Sequence, residues 1–208
     1  MATIPLPERQ SLTTMLERSI LAALVKITRP DNIFEFGTFL GETTALLASN
    51  SEASVVTIDL DGTDSLSPLL DSHEQKNLAH KLCRNKIFHT LPEASRIQEI
   101  LGDSTRIDLT DFYATMDFIL IDGGHHIDVV RRDTENAFKM IRPGNKACIV
   151  WHDYGNPCYK ITDFLDSLAT TVTLFHIEGT QYVYYCSEDS KLHLGDRHHH
   201  PHTKHATR

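Results

Sequence analysis

Acidic and imidazole residues follow two apolar runs of the sequence, at positions where strands would end. The run FILID ends at Asp122 and is followed by two glycines and by His125 and His126. The run ACIVW is followed directly by His152 and Asp153. Carboxylate and imidazole groups in this pattern bind metal ions or transfer protons. One set alone would also suit a turn or a helix cap, so the presence of both sets is what indicates a site.

A glycine-containing turn, EFGTFLGETT, provides a second group of candidate residues. Gly37 allows a sharp turn and a close approach of a ligand to the backbone, and Gly41 stands where a helix begins, with amides available to a ligand. The spacing is G-x-x-x-G, which differs from the G-x-G-x-x-G of dinucleotide sites. A plain tight turn is the alternative. Glu35 is an acid within an apolar run, which is costly to bury unless it meets a donor or a cation.

Further acids follow the next two apolar runs. Asp59 ends SVVTID, and a carboxylate there can accept hydrogen bonds from both hydroxyls of a ribose. Asp61 competes for this role, and a loop-capping function is the alternative. Asp103 and Ser104, in the stretch GDS, could meet an adenine amino group or form an ordinary turn.

These residues need elements that bring them together. Apolar residues at steps of three and four predict an amphipathic helix near residues 12–27, which Pro30 ends. The predicted strands are NIFEF, SVVTID, part of RIQEILGDS, MDFILID, ACIVW, TVTLFHI and QYVYYCS. The other predicted helices are GETTALLAS, the polar SHEQKNLAHKLCRN, the segment that starts at His126, and CYKITDFLDSLAT. His126 is predicted to begin its helix and to face solvent.

The alternation of helices and strands predicts an α/β fold with a parallel sheet. The consecutive apolar residues of MDFILID suit a strand that is buried on both faces. Only EGT separates the last two strands, which is too short for a helical crossover, so they are predicted to be antiparallel. In such sheets ligands bind at the carboxyl ends of the strands, where all of the candidate residues fall.

Composition limits the class of protein. The 208 residues are 40% hydrophobic and 23% charged, which predicts one globular domain. The net charge of −8 argues against nucleic-acid binding, and no apolar run approaches the ~20 residues of a membrane span. No secretory signal is visible, and the four cysteines are scattered, so we expect reduced thiols and a cytoplasmic location.

The domain is expected to span residues 1–190, including the N-terminal helix. Residues 191–208 are rich in histidine and lack apolar periodicity. They are predicted to form a disordered tail, with a metal-responsive or regulatory element as the alternative.

Taken together, the motifs resemble class I S-adenosylmethionine-dependent methyltransferases. The resemblance is greatest to a small bacterial group whose fourth strand ends in IDG-x-H and whose fifth ends in a W-H-D-Y-like motif. The corresponding stretches here are LIDGGHH and VWHDY, with E-x-G-T-x-x-G-x-T at residues 35–43 and LGDS at 101–104. The likeness covers roughly residues 31–185. Asn145 replaces a usual glycine in RPGNK, at a turn position that asparagine tolerates.

The resemblance implies a Rossmann-like class I methyltransferase fold, with a seven-stranded, mostly parallel sheet of order 3-2-1-4-5-7-6 flanked by helices. It also implies S-adenosylmethionine as cofactor. The turn from Gly37 to Gly41 would lie against its methionine part, Asp59 would hold the ribose, and Asp103 and Ser104 would flank the adenine. The full set of expected cofactor residues is Glu35, Gly37, Thr38, Gly41, Thr43, Asp59, Asp103, Ser104 and Asp122.

Two catalytic designs are compatible with the sequence, with Asp122, His125 and His152 as the catalytic candidates. In the first, His125 or His152 is the general base for an acceptor hydroxyl. In the second, Asp122, His152 and Asp153 hold a divalent cation such as Mg²⁺ or Mn²⁺. No nitrogen-methylating Pro-Pro-Tyr/Phe motif is present, which favours a hydroxyl of a small molecule or sugar as acceptor.

Two other functions remain open at this stage. The chain could bind the cofactor or a related nucleoside without catalysis, as a regulatory or assembly module. Residues 60–95 offer little obvious lid, so a partner protein or a second copy of the chain would then complete the site. A nicotinamide-dependent dehydrogenase is a third interpretation, and the glycine spacing argues against it.

Overall fold

The computed structural model describes residues 5–6, 13–61 and 85–187, and the structural statements below concern these residues. Two predictions from the sequence fall elsewhere. The polar helix SHEQKNLAHKLCRN lies outside the described residues except for Asn85, and the histidine-rich tail at 191–208 lies entirely outside them.

Seven strands form one sheet in the order β3-β2-β1-β4-β5-β7-β6, as predicted. The strands β1 to β5 are mutually parallel, and β7 is antiparallel to both β5 and β6. Their bounds are Asn32–Phe36 (β1), Ser54–Asp59 (β2), Ile97–Leu101 (β3), Phe118–Ile121 (β4), Cys148–Trp151 (β5), Phe175–His176 (β6) and Val183–Cys186 (β7).

Among the described residues, four α-helices flank this sheet. They are α1 (Met15–Thr28), α2 (Glu42–Ser49), α3 (Ile127–Met140) and α4 (Ile161–Leu168). Thr14 and Glu17 form a reciprocal capping box at the start of α1. His126 is the exposed N-cap of α3, and its Nδ1 accepts a bond of 3.3 Å from the amide of Asp128, which confirms its predicted place at the helix start.

Two elements are shorter than predicted. The run TVTLFHI forms only the two-residue edge strand β6, because the amides of Thr171 and Val172 bond to Leu168 and continue the turn after α4. The predicted helix CYKITDFLDSLAT begins only at Ile161, since the amide of Cys158 bonds to the side chain of Asn156 in a turn that precedes it.

The core has two apolar layers, one on each face of the sheet. Leu21 of α1 and Leu46 of α2 pack on one face, and Met140 of α3 and Leu165 of α4 pack on the other. Trp151 is fully buried in the second layer, where its indole Nε1 donates to Thr134 at 2.9 Å. Within residues 13–61 and 85–187, no helix has the length and apolarity needed to cross a bilayer.

Glu35 is a fully buried acid in the middle of β1. Its Oε2 accepts hydrogen bonds from Thr44 at 2.5 Å and from Thr57 at 2.7 Å. Burial raises the pKa of Glu35 to about 8, because it outweighs these two hydrogen bonds, and the nearby charges of Asp122 and Asp59 raise it further. Glu35 therefore carries a proton in the folded protein at neutral pH.

The ends of β1 and β4 meet at a glycine. Gly37 follows β1 with a φ of +96°, and a Cβ atom at this position would lie 2.1 Å from the carbonyl oxygen of Asp122. Because that oxygen belongs to the backbone, it cannot rotate away as a flexible side chain would. The contact therefore requires glycine at position 37, and it joins the turn after β1 to the first residue after β4.

Glu35→Gln should change how stability depends on pH. Between its ordinary value of 4.5 and about 8, folded Glu35 keeps a proton that the unfolded chain has lost. The stabilisation from this bound proton is complete below that interval and is lost as the pH rises towards about 8. Within the interval the free energy of unfolding falls by up to about 1.4 kcal/mol per pH unit. Urea unfolding across this range should show a flatter decline for the variant. Asp133, whose pKa burial raises to about 7, adds a similar decline to both proteins. Identical slopes would refute the assignment to Glu35.

Gly37→Ala should destabilise the fold by more than about 3 kcal/mol, since it adds a backbone clash to an unfavourable φ. Gly144→Ala is the matched control, because Gly144 has a φ of +75° but a Cβ atom added there would have no neighbour within 4 Å. That variant should lose only about 1–2 kcal/mol. Urea unfolding of both variants measures the difference, and equal losses would contradict the role of the contact with Asp122.

Candidate active site

The carboxyl ends of five parallel strands are aligned by hydrogen bonds that continue beyond the strands. Each bond runs from the amide of a residue that follows one strand to a carbonyl on its neighbour. The pairs are Gly102 to Asp59 (2.8 Å), Gly37 to Ile58 (2.9 Å), Asp122 to Phe36 (2.9 Å) and His152 to Ile121 (3.1 Å). The residues predicted from the strand ends are thus brought to one edge, as parallel topology requires.

A cavity open to solvent lies at this edge, above β1, β2 and β3. Four of the predicted cofactor residues line it, namely Gly37, Asp59, Asp103 and Ser104. Gly123 and Gly124 form part of its wall after β4, and Asp133 of α3 also lines it. The cavity therefore lies at the point where the strand order reverses, between β1 and β4.

Asp59 is half-buried and directs its carboxylate towards the turn after β1. Its Oδ2 accepts the amide of Phe39 at 2.7 Å, and its Oδ1 accepts the amide of Leu60 at 2.9 Å. Each carboxylate oxygen has two lone-pair sites and can accept more than one hydrogen bond. The competing candidate, Asp61, is not among the residues that line the cavity.

The other residues of the predicted turn face the protein interior. Thr38 is buried, with its hydroxyl 2.7 Å from that of Thr57. Gly41 is covered by the ring of Phe88, and Thr43 lines a smaller recess between α1, α2 and Tyr182. With Glu35, these residues are absent from the lining of the main cavity, so their contact with a cofactor stays a prediction.

The acidic and imidazole residues after β4 and β5 form one cluster. His152 Nδ1 lies 3.2 Å from Asp122 Oδ1 and 3.5 Å from Asp153 Oδ2. His125 Nε2 lies 3.2 Å from the same Asp153 oxygen, and the ring of His125 stacks on Tyr159 with 4.1 Å between centroids. The sequence prediction that the two sets converge is therefore correct.

The residues of this cluster shift one another's pKa values. Burial lowers the pKa of His152, but the carboxylates of Asp122 and Asp153 outweigh burial and raise it to about 11. Burial raises the pKa of Asp153, yet hydrogen bonding and attraction from His125 and His152 hold it well below its usual range. The cluster thus keeps an imidazolium between carboxylates at neutral pH.

Glu17 is a member of the cluster that the sequence reasoning missed. This buried residue of α1 has its Oε1 3.6 Å from His152 Nε2, and the same oxygen accepts the amide of Gln181 at 3.0 Å. The T-x-x-E pattern at Thr14 is typical of a helix cap, and no local pattern connects the start of α1 to the end of β5. Only the packing of α1 on the sheet brings the two together.

Asp133 lines the cavity but was not among the candidate residues predicted from the sequence. It is 1% exposed on α3, and burial raises its pKa to about 7 despite a hydrogen bond from Ser104. Its Oδ1 has no hydrogen-bond partner among residues 13–61 and 85–187. Its position three residues after buried Val130 was the available signal, since this spacing puts both residues on one helix face.

Comparison with known proteins agrees with this architecture. Residues 34–154 match a sequence-family model described as a methyltransferase domain. A search of curated protein sequences finds no significant match. Among solved structures, an SAH-bound methyltransferase from Podospora anserina has a TM-score of 0.57 at 12% identity, covering 84% of this chain and 79% of its own.

Two O-methyltransferases of known structure also resemble this chain in fold. The Bacillus cereus enzyme in complex with SAH has a TM-score of 0.54 at 20% identity, over 87% of this chain and 83% of its own. TomG from Streptomyces achromogenes, which is involved in tomaymycin synthesis and was solved with SAM, has a TM-score of 0.55 at 17% identity. The match covers 86% of this chain and 81% of TomG. At these identities the structures establish a common fold, and the family match covers more than half of the sequence. The chain therefore belongs to the methyltransferase family.

Proposed function

We propose that the chain transfers a methyl group from S-adenosylmethionine to a hydroxyl group of a small molecule or sugar. One observation carries the proposal: the cavity at the switch point and the acid–imidazole cluster adjoin at Asp122. The backbone of Asp122 touches Gly37 of the cavity, and its carboxylate lies beside His152. A cofactor in the cavity would thus present its methyl group next to groups that handle protons.

The cofactor would be oriented by the residues that line the cavity. Asp59 would accept hydrogen bonds from the ribose hydroxyls, since it lines the cavity and a carboxylate has two acceptor oxygens. Asp103 and Ser104 would flank the adenine, and the backbone of the turn after β1 would lie against the methionine part. The structures of O-methyltransferases with SAH and SAM on the same fold support this arrangement.

His125 is the imidazole that we propose as general base. Its side chain is 26% exposed, and Asp153 lies 3.2 Å from its Nε2, an acid–imidazole pair that orients the ring. His152 is less suited to accept a proton at neutral pH, because the surrounding carboxylates raise its pKa to about 11. An imidazole that takes the hydroxyl proton would raise the nucleophilicity of the acceptor oxygen during in-line displacement.

The residues of the cluster also fit a divalent cation. Asp122, His152 and Asp153 each offer one ligand atom, all within 4.8 Å of one another. Both ring nitrogens of His152 are buried without an aligned hydrogen-bond partner among the described residues. We propose that these three residues hold Mg²⁺ or Mn²⁺, and that binding of the cation displaces the proton that His152 otherwise carries. The cation would lower the pKa of a bound hydroxyl when present. Glu17 would then face the second nitrogen of His152.

A cytoplasmic location and a small-molecule acceptor are part of the proposal. Completion of the site by a second copy of the chain stays a prediction.

Asp59→Ala should weaken binding of S-adenosylmethionine by about 1–3 kcal/mol, through loss of charged hydrogen bonds to the ribose. Isothermal titration calorimetry measures the dissociation constant, with NAD as a comparison ligand. Asp61→Ala is the matched control and should bind as wild type does. A reversed result would transfer the ribose role to Asp61.

Absence of binding to wild type at millimolar cofactor would refute the function, whereas binding without turnover on a panel of hydroxyl compounds would favour a binding module.

Asp153→Asn should weaken Mn²⁺ binding by more than about tenfold, because it removes a charged ligand from the cluster. Asparagine tolerates the φ of +66° at this position, so the backbone need not change. Electron paramagnetic resonance of free Mn²⁺ measures the affinity directly. Asp128→Asn, at an exposed carboxylate outside the cluster, is the control. Wild-type protein that binds no Mn²⁺, or an unchanged affinity in Asp153→Asn, would eliminate the cation site.

A further inference from the structure

Residues 86–88 pack directly on the turn that follows β1. The amide of Ile87 donates to the carbonyl of Leu40 at 3.0 Å. The ring of Phe88 covers Gly41 so closely that a Cβ atom there would lie 2.6 Å from it. The ammonium of Lys86 donates to the carbonyl of Phe39. One short segment thus contacts three consecutive residues of the turn.

The turn needs such support because of the conformation of Phe39. This residue has a φ of +45°, a left-handed value that is costly for a bulky side chain. Both of its backbone polar groups are engaged by side chains. Its amide donates to Asp59 at 2.7 Å, and its carbonyl accepts from Lys86. Asp59 and Lys86 therefore hold the strained residue from opposite sides.

Lys86 also balances negative charge on two strands. Its Nζ lies 3.9 Å from Asp59 Oδ2 at the end of β2 and 3.6 Å from Glu99 Oε1 on β3. The side chain of Lys86 is only 10% exposed, so this charge is little screened by solvent. Without Lys86, the carboxylates of Asp59 and Glu99 would face each other without a cation between them.

We propose that Lys86 is a positioning residue for the cofactor, and that it holds both Asp59 and the turn after β1 in the geometry that binds S-adenosylmethionine. The inference rests on the proposed function and assigns a role to a residue outside all of the recognised motifs. Lys86 is not among the residues that line the cavity, so it acts through Asp59 and Phe39. It also lies outside the acid–imidazole cluster, so its loss should affect cofactor binding and leave cation binding unchanged.

Lys86→Met tests the proposal, because methionine preserves an unbranched apolar stem and removes the charge and donor. Calorimetry should show S-adenosylmethionine and S-adenosylhomocysteine binding at least about tenfold more weakly, while Mn²⁺ affinity stays at the wild-type value. Lys86→Arg, which retains charge and donors, should recover most of the affinity. Lys26→Met is the matched control, since Lys26 is on α1 and its ammonium donates to a backbone carbonyl, that of Asn50, at 3.5 Å.

A double-mutant cycle tests whether Lys86 acts through Asp59. Lys86→Met should have a clearly smaller effect on cofactor affinity in the Asp59→Ala background than in wild type. Should Lys86→Met fail to fold, Lys86→Gln keeps a donor for Phe39 without the charge, and the same loss of affinity is expected. Wild-type affinity in folded Lys86→Met or Lys86→Gln, or full additivity with Asp59→Ala, would overturn the inference. Wild-type protein that binds no cofactor would instead overturn the proposed function.

Discussion

The contact between Gly37 and the carbonyl of Asp122 is the constraint on which the site depends. It lies where β1 and β4 diverge, and the bond from the Asp122 amide to Phe36 fixes the distance between the two backbones. Because no side chain fits there, the turn after β1 and the first residues after β4 approach each other closely. The cavity and the acid–imidazole cluster meet at this contact, so a single backbone approach sets the distance between the proposed cofactor and acceptor sites.

Burial then gives the acids around this contact different charge states. Glu35 and Asp133 are enclosed with few donors, and burial raises their pKa values to about 8 and about 7. Asp153 faces two imidazoles and stays ionised, because their attraction exceeds the cost of burial. Glu35 therefore keeps a proton beneath the sheet edge at neutral pH, and Asp133 titrates near neutrality. Charge is concentrated in the cluster, where a proton or a cation can be held.

Distant segments complete both halves of the site. Glu17 enters the cluster from α1, and Lys86 reaches the turn from a segment that precedes β3. Each is a charged side chain that is buried against a partner of opposite charge, and each fixes an element that carries a candidate functional residue. The candidate active-site edge of this sheet is thus supported by a helix and a connection that lie outside the motifs shared with methyltransferases.

The sequence by itself predicted the helices, the strands, the final antiparallel pair and the candidate residues at the strand ends, because apolar periodicity, glycine turns and short connections act over a few residues. The strand order was implied by the resemblance to class I methyltransferases, and the observed sheet confirms it. The strand predicted at residues 171–177 was too long, because the backbone amides of its first two residues form turn hydrogen bonds to Leu168 after α4. Only the tertiary structure decided that Glu17 meets His152, that Lys86 meets Asp59, and which acids stay protonated. Those properties arise from packing between segments far apart in the chain, where burial and the sum of neighbouring charges, rather than local pattern, set the free energy.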